Sequence, residues 1–141
     1  MSHGRISLLL GTFLVLVIAA PISAAEATEV TIDQFARVSP EGGTVTVTGT
    51  IACDVVGEVN LAVQVTQGSL VGTDNLDLSP FACSEIPRAF FAVAETFDCT
   101  GGSQGCFRPG KASVEISTIP DDVVVATGRI VVRPSQAPAP V

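Results

Sequence analysis

The chain has no tryptophan or tyrosine, and its one histidine, His3, lies close to the first residue. Without those rings a protein has few of the platforms on which sugars and unpaired bases stack. Basic residues are also scarce, with 7 Lys and Arg against 14 Asp and Glu and a net charge of −7. Nucleic acid and anionic membranes are bound by clustered Lys and Arg, so we expect neither as a partner.

Long apolar runs are confined to the first part of the chain. Arg5 precedes an almost unbroken apolar stretch from Ile6 to Ala20, and Pro21–Ala27 supplies small and helix-breaking residues. This order is typical of a secretory signal peptide, and the run is shorter than the ~20 residues that a transmembrane helix needs. We predict a signal peptide over residues 1–25, with the cleavage site lying between Ala24 and Ala27.

Cleavage would have three consequences for the mature chain. It would leave roughly 116 residues, which is the size of one domain. It would remove His3 and Arg5 but no carboxylate, so that the net charge becomes −8. Without histidine, Ser-His-Asp and Cys-His catalysis and His-ligated metal centres are excluded. We therefore predict a protein that is not an enzyme, with no cofactor and no metal.

Four cysteines, Cys53, Cys83, Cys99 and Cys106, follow the export signal. An even number in an oxidising compartment predicts two disulfides, for which three pairings are possible. The flexible Thr-Gly-Gly-Ser-Gln-Gly segment favours a bond between Cys99 and Cys106, which leaves Cys53 to pair with Cys83. A four-cysteine zinc site is disfavoured by export and by the lack of C-x-x-C pairs.

Between the leader and the proline-rich end, period-two patterns predict strands and no amphipathic helix. The clearest strand is Gly43–Cys53, where threonines alternate with apolar residues. The other predicted strands are Glu29–Asp33, Glu58–Gln67, Leu70–Leu78 at an edge, Arg88–Phe97 as either a central strand or one covered on both faces, Lys111–Thr118, and Val123–Val132 with a kink or bulge near Gly128. A turn is predicted at 119–122.

These seven strands predict an all-β fold, an antiparallel immunoglobulin-like sandwich over residues 26–133. A flexible Pro/Ala-rich tail is expected over residues 134–141. We expect the mature chain's six phenylalanines in the core rather than in a ligand cage: Phe35, Phe81, Phe90, Phe91, Phe97 and Phe107.

The stretch from Val30 to Arg133 resembles a loose group of exported actinobacterial-type domains of uncharacterised function with immunoglobulin-like folds. The matching motifs are Val30-Thr-Ile-Asp33, Gly43 to Cys53, Cys83 before an aromatic strand, and Phe107-Arg-Pro-Gly-Lys-Ala-Ser-Val114. In that group a tryptophan follows the second cysteine, where this chain has Phe90 or Phe91. The resemblance implies export and the sandwich fold, and it supplies no catalytic residue.

A weaker resemblance is to the enediyne-binding apoproteins. Those proteins are also secreted, acidic and seven-stranded, and they have two disulfides, one of which closes a short loop. The wide spacing of Cys53 and Cys83 departs from that family. The resemblance implies the binding of a small chromophore.

Two carboxylate groupings are candidates for chemistry. Asp74, Asn75 and Asp77, together with Asp121 and Asp122, offer the oxygen ligands that Ca²⁺ prefers, but turn chemistry explains them equally well. Glu95 shares the alternation phase of Phe91, Val93 and Phe97. Its carboxyl group is either buried and able to act as an acid or base, or it reaches solvent or an arginine such as Arg88 or Arg129.

Binding is therefore the first hypothesis for the function. Sandwiches present loops and edge strands to partners, and the acidic charge suits a basic one. We predict a secreted, extracellular or cell-envelope-associated monomer that binds an unknown protein or small-molecule ligand, but no nucleic acid and no membrane after cleavage. A structural envelope protein without a ligand and a small-molecule carrier are the alternatives.

Overall fold

The computed structural model describes residues 25–74, 78–99 and 104–135. The predicted signal peptide, except Ala25, and the last six residues of the predicted tail lie outside this part of the chain. In chain order the strands are β1 (Ala27–Ile32), β2 (Phe35–Val38), β3 (Thr44–Cys53), β4 (Gly57–Val59), β5 (Leu61–Gln67), β6 (Leu70–Asp74), β7 (Phe81–Cys83), β8 (Arg88–Glu95), β9 (Gly110–Thr118) and β10 (Val124–Pro134). Within the described ranges, no helix is long and apolar enough to cross a membrane.

Seven strands form a closed barrel in the order β3, β2, β10, β9, β5, β6 and β8, and β8 returns to β3. The predicted immunoglobulin-like sandwich is therefore wrong, although the all-β class is confirmed. Strand β2 pairs antiparallel with β3 and parallel with β10, and β6 pairs with both β5 and β8. These pairings close the sheet edges that a sandwich would leave open. Barrels and sandwiches both bury every second residue, so the sequence pattern does not separate them.

The predicted alternation of individual strands is confirmed. In β3, Val45, Val47 and Ile51 are completely buried, while the threonines between them are partly covered. Strands β5 and β9 likewise bury every second side chain. The largest fully buried side chains of the barrel interior are Ile51, Leu61, Leu78, Ile116 and Ile130. Burial of each contributes about 1.5–3 kcal/mol relative to leaving it in water.

Several details differ from the predicted strands. The sequence pattern did not predict β2, which is one of the seven barrel strands, or β7. The segment Glu58–Gln67 is two strands, because β4 leaves the barrel and pairs with β7 in a separate two-stranded sheet. Strand β6 is not an edge strand, since it is paired on both sides. The irregularity in β10 lies between Val124 and Ala126 and not at Gly128. The predicted turn after β9 is confirmed, and β10 extends to Pro134.

Two glycines allow close approaches that shape the barrel. A Cβ atom at Gly49 would collide with the carbonyl oxygen of Thr31, because β1 lies directly against β3 at that point. A Cβ atom at Gly72 would lie 2.5 Å from Cζ of Phe107. The buried Phe107 ring therefore packs beneath β6, and its amide donates a 2.8 Å hydrogen bond to the carbonyl oxygen of Gly42.

Candidate functional site

The predicted disulfide pairing is confirmed. Cys53 is bonded to Cys83 with their Cα atoms 5.8 Å apart, and Cys99 is bonded to Cys106 with Cα atoms 4.6 Å apart. The two bonds lie at opposite ends of the barrel. Cys53 ends β3, whereas Cys106 lies against Gly42 in the turn that precedes β3.

Loops 54–56 and 84–87 lie side by side at the end of the barrel that carries the first disulfide. The amide of Cys53 donates a hydrogen bond to the carbonyl oxygen of Ser84, with 2.7 Å between N and O. Strands β4 and β7 pair directly beside the two loops. Three aliphatic side chains of these loops are exposed, with 44, 83 and 76 % of their surface accessible: Val55, Val56 and Ile86.

Carboxylates surround these aliphatic side chains. Four exposed acids lie in the loops or next to them: Glu26, Asp54, Glu58 and Glu85. The Asp54 carboxylate accepts a 2.8 Å hydrogen bond from the amide of Glu26, and the Asp54 amide donates to the Glu26 carbonyl oxygen. A single cation, Arg88, lies nearby and donates to the carbonyl oxygen of Ala82 at 3.3 Å. We call the surface formed by Val55, Val56, Ile86 and the four acids the acidic end.

A second surface carries the opposite charge. Arg37 lies beside Arg133 in the parallel β2–β10 pair, and the neighbouring register of β9 and β10 adds Lys111 and Arg129. All four side chains are exposed on the outside of the barrel. Within the described part of the chain, no carboxylate lies at ion-pair distance from any of them. We call the surface formed by these four residues the basic face.

The arginine nearest the end of β10 is held by an aromatic ring. The guanidinium carbon of Arg133 lies 3.5 Å from the centroid of the Phe35 ring, which is the geometry of a cation–π contact. Phe35 is 43 % exposed and lies opposite Val131 in the parallel pair. The contact orients the guanidinium along the sheet while leaving its N–H groups accessible.

A shallow depression of about 470 Å³ adjoins the basic face at Arg129. Most of its lining consists of neutral polar side chains from β5, β9 and β10, and Gly128 contributes no side chain at all. The polar lining residues are Gln64, Thr66, Ser113, Glu115 and Thr127. Glu115 is the one carboxylate of the depression, and it pairs across the strands with Thr127.

The expectation that the phenylalanines form the core is wrong for three of them. Phe90 and Phe107 are buried, but Phe35, Phe91 and Phe97 are 43, 64 and 79 % exposed. The outer face of β8 therefore meets solvent, so this strand is not covered on both faces. The sequence pattern did not show this, because an apolar residue on an outward phase has the same signature as one covered by a second layer. The alternative prediction, a central strand, is confirmed, because β8 is paired with β3 on one side and with β6 on the other.

Among the described residues, Glu95 and Asp74 make surface and turn contacts. Glu95 is half-buried on the outer face of β8, opposite Thr73, in the same phase as the exposed Phe91. The hypothesis of an acid or base buried among apolar side chains is therefore wrong. Asp74 accepts a 3.3 Å hydrogen bond from the amide of Leu78, which is a turn contact.

The calcium hypothesis is tested only for its described members, Asp74, Asp121 and Asp122. Asn75 and Asp77 lie outside the described residues, and Asp121 and Asp122 belong to the turn after β9. Asp122 adopts a positive φ of 54°, and its amide donates to the Thr118 carbonyl oxygen, as a turn residue would. In the ranges that the structure covers, no three His, Cys, Asp or Glu side chains are grouped so that they could hold a metal ion.

No protein-family model and no curated protein matches this chain. Among solved structures, a β-glucosidase from Listeria innocua in complex with glucose is similar over 77 % of this chain and 16 % of the enzyme, with 15 % identity and a TM-score of 0.47. A β-glucosidase of Bifidobacterium adolescentis is similar over 77 % of this chain and 17 % of its own length, with 14 % identity and a TM-score of 0.42. An alkylpurine DNA glycosylase from Pseudomonas fluorescens covers 77 % of this chain at 8 % identity, with 30 % of its own length and a TM-score of 0.43.

This chain thus spans about one sixth of the glucosidases to which it is similar. At these identities and TM-scores the likenesses assign neither a family nor an activity. The resemblance to exported actinobacterial-type domains implied a sandwich fold, which the closed barrel contradicts. A relationship to those domains or to the enediyne-binding apoproteins remains a prediction from the sequence.

Sequence reasoning missed both surfaces. The basic face joins residues from β2, β9 and β10 that are far apart along the chain, and only the parallel pairing of β2 with β10 places Arg37 beside Arg133. A partial signal was available, because Arg129, Val131 and Arg133 alternate outward with buried Ile130 and Val132. At the acidic end, Val55 and Val56 follow Asp54. Two adjacent valines in a turn are a partial signal of an exposed apolar patch, and such patches mark interaction sites.

Proposed function

We propose that this chain is an exported, non-catalytic binding domain and that its acidic end docks a protein partner with apolar and basic side chains. The observation that carries this proposal is the exposure of three aliphatic side chains on loops that a disulfide fixes. Val56 and Ile86 have 83 and 76 % of their surface in water, beside the Cys53–Cys83 bond.

Burying such side chains against a partner is favourable. Full burial of a Val or Ile side chain contributes about 1.5–3 kcal/mol. The loops that carry them are already ordered by the disulfide, the Cys53–Ser84 hydrogen bond and the β4–β7 pair. A partner therefore meets a preformed surface, which lowers the entropy cost of association.

The acids decide which partner fits. Glu26, Asp54, Glu58 and Glu85 outnumber the single Arg88 around the aliphatic side chains. Complementary charge at the rim of an interface speeds association and excludes wrong partners more than it adds affinity. The partner that suits this end therefore presents Lys or Arg around an apolar centre.

A protein partner is favoured over a small molecule by the packing of the barrel. The interior is filled by side chains such as Ile51, Leu61 and Ile116, which are fully buried. A chromophore inside the barrel would have to displace them, at a cost of several kcal/mol. The carrier hypothesis is therefore weaker than the docking hypothesis.

Export is part of the proposal. The two disulfides fit an oxidising compartment, as the predicted signal peptide requires. The high negative charge keeps such a domain dispersed outside the cell. We place the mature chain in the extracellular space or at the cell envelope.

The test is affinity capture with matched variants. The mature protein is incubated at physiological salt with the medium and envelope fraction of its own source, and any retained protein is identified, purified and titrated. The Val56→Ser, Ile86→Ser double variant removes the aliphatic centre, and the Val71→Ser, Phe97→Ser variant removes exposed apolar surface elsewhere. We expect a stoichiometric partner whose affinity falls at least tenfold with the first variant and stays unchanged with the second.

One further variant and two other outcomes of the capture experiment bear on the proposal. Replacing Glu58 and Glu85 by Gln should weaken the same complex severalfold and flatten its salt dependence, because charge at the rim steers association. Retention of no protein would favour a structural role without a ligand. Recovery of a coloured small molecule in place of a protein would favour carriage.

A further inference from the structure

The basic face is an exception to the charge of the whole molecule. The chain carries twice as many acids as bases, yet four exposed cations lie on the outer surface of β2, β9 and β10. In the described ranges, none of these four cations forms an ion pair with a carboxylate. Like charges placed together repel one another, so the arrangement costs stability unless an anion offsets it. The cation–π contact of Arg133 with Phe35 offsets part of this cost, but it does not remove the repulsion between Arg133 and Arg37.

The spacing of the cations suits a chain of anions more than a single ion. Arg37 and Arg133 are cross-strand neighbours, about 4.8 Å apart at the backbone. Arg129 lies four residues before Arg133 on the same strand, which is about 13 Å. The outer surface of the barrel has no walls beside Arg37 and Arg133 that could enclose one small anion. It can, however, contact successive charges of an extended polymer.

The depression beside Arg129 supplies the complementary half of such a site. Its side chains Gln64, Thr66, Ser113 and Thr127 carry amide and hydroxyl groups that can both donate and accept hydrogen bonds. Sugar hydroxyls need partners of this kind. A residue of an acidic sugar chain could thus place its anionic group on Arg129 and its hydroxyl groups in the depression.

From this juxtaposition we propose that the basic face and its depression bind an anionic polysaccharide. The acids at the other end of the barrel do not prevent it. Arg129 and Arg133 lie five and nine residues along β10 from Val124, which is near the other end of the barrel, or about 17 and 30 Å, whereas charges at physiological salt are screened beyond about 8 Å. The polymer therefore responds to the local positive charge and not to the net charge of the protein.

Nucleic acid fits the same surface poorly. Sequence-tolerant binding of single strands uses exposed rings as stacking platforms, and the ring on this face, Phe35, already lies against the Arg133 guanidinium. An anionic glycan that is held by ion pairs and by hydrogen bonds to its hydroxyl groups needs no stacking platform. Double-stranded DNA is held by more phosphate contacts than four cations can make. The basic face shares no residue with the acidic end. Glycan binding at the basic face can therefore be confirmed or refuted independently of the protein docking proposed at the acidic end.

The test uses defined polymers and the intact mature protein. Calorimetric titrations are run with polygalacturonate and with chondroitin sulfate, with carboxyl-reduced polygalacturonate as the neutral sugar control and polyglutamate as the carboxylate control without sugar hydroxyls. We expect at least one of the two anionic glycans to bind, with tenfold or greater preference over both controls.

Three variants distinguish glycan binding at the basic face from nonspecific attraction between the polymer and any cation of the protein. Arg37→Gln with Arg133→Gln should lower the glycan affinity at least tenfold and reduce the slope of log K against log salt by about two. Arg88→Gln, which removes the cation at the acidic end, should change the affinity less than twofold. Glu115→Gln removes the carboxylate of the depression and should raise the affinity.

Three results would overturn the proposal. One is the failure of both anionic glycans to bind at low salt. Another is equal binding of polyglutamate, which would show attraction for any polyanion. The third is an Arg88→Gln variant that loses as much affinity as the Arg37→Gln, Arg133→Gln variant, while hydrogen exchange of the β9–β10 ladder shows that both remain folded.

Discussion

The acidic end and the basic face differ in charge and in what holds them. The acidic end lies on two irregular loops that are fixed by the Cys53–Cys83 bond and by a few hydrogen bonds. The basic face lies on regular strands, where β9 and β10 pair along almost their whole length. The acidic end therefore depends on a covalent link, and the basic face depends on a ladder of backbone hydrogen bonds. Perturbations should therefore separate them.

Removal of the Cys53–Cys83 bond should have the largest effect. The bond spans a sequence separation of 30, and the chain-entropy relation for such a loop gives about 3–4 kcal/mol of stability. In the Cys53→Ser, Cys83→Ser variant we expect this loss in urea unfolding, with faster hydrogen exchange at loops 54–56 and 84–87. The amides of the β9–β10 ladder should remain as well protected from hydrogen exchange, relative to the other barrel strands, as they are in the wild type. Selective loss of protection in that ladder would contradict the comparison.

Removal of the second disulfide should cost less. Cys99 and Cys106 have a sequence separation of 7, for which the same relation gives about 2.5 kcal/mol. This loop leads into the buried Phe107 and the start of β9, so the Cys99→Ser, Cys106→Ser variant should leave the acidic end intact. Urea unfolding of the two double variants side by side measures the difference. A larger loss for the shorter loop would show that native contacts, and not loop closure, decide the effect.

Asp54 should matter at the level of about 1 kcal/mol. Its carboxylate accepts a hydrogen bond from the Glu26 amide, and that contact anchors the chain before β1. Asp54→Ala should lower the free energy of unfolding by that amount and increase hydrogen exchange in residues 26–28. Glu58→Ala, which removes a neighbouring exposed acid, serves as the control and should be nearly neutral. Equal losses in the two variants would point to charge and not to the anchor.

The smallest effect is expected on the basic face. Phe35→Leu removes the ring beneath Arg133 while keeping an apolar side chain, and an exposed cation–π contact is worth about 0.5–1 kcal/mol. A double-mutant cycle with Arg133→Gln isolates that term in thermal or urea unfolding. A coupling energy near zero would mean that the ring does not hold the guanidinium in solution.

Local features of this fold were predictable from the sequence, and the features that depend on distant pairing were not. The threonine alternation of Thr44 to Thr50 is a local pattern, and it correctly located β3 and its buried face. The glycine-rich sequence between Cys99 and Cys106 likewise allowed the disulfide pairing to be inferred. In contrast, barrel closure depends on short ladders such as Arg37↔Thr46 and Thr73↔Glu95, which leave no periodic trace in the sequence.

The two surfaces illustrate the same limit. Arg37 and Arg133 meet because β2 runs parallel to β10, a contact between distant parts of the chain. The exposure of Phe91 was hidden because an outward apolar residue and a doubly covered one give the same pattern. Predicting either surface requires the topology first, since residue type alone does not say which strands become neighbours.

The most direct test of the account is a crossed binding experiment at physiological salt. The wild-type mature protein, the Val56→Ser, Ile86→Ser variant and the Arg37→Gln, Arg133→Gln variant are each titrated with the captured protein partner and with the anionic glycan. We predict that the first variant loses the partner and keeps the glycan, and that the second loses the glycan and keeps the partner. Two variants that lose both ligands together, or neither of them, would contradict the assignment of two separate binding surfaces.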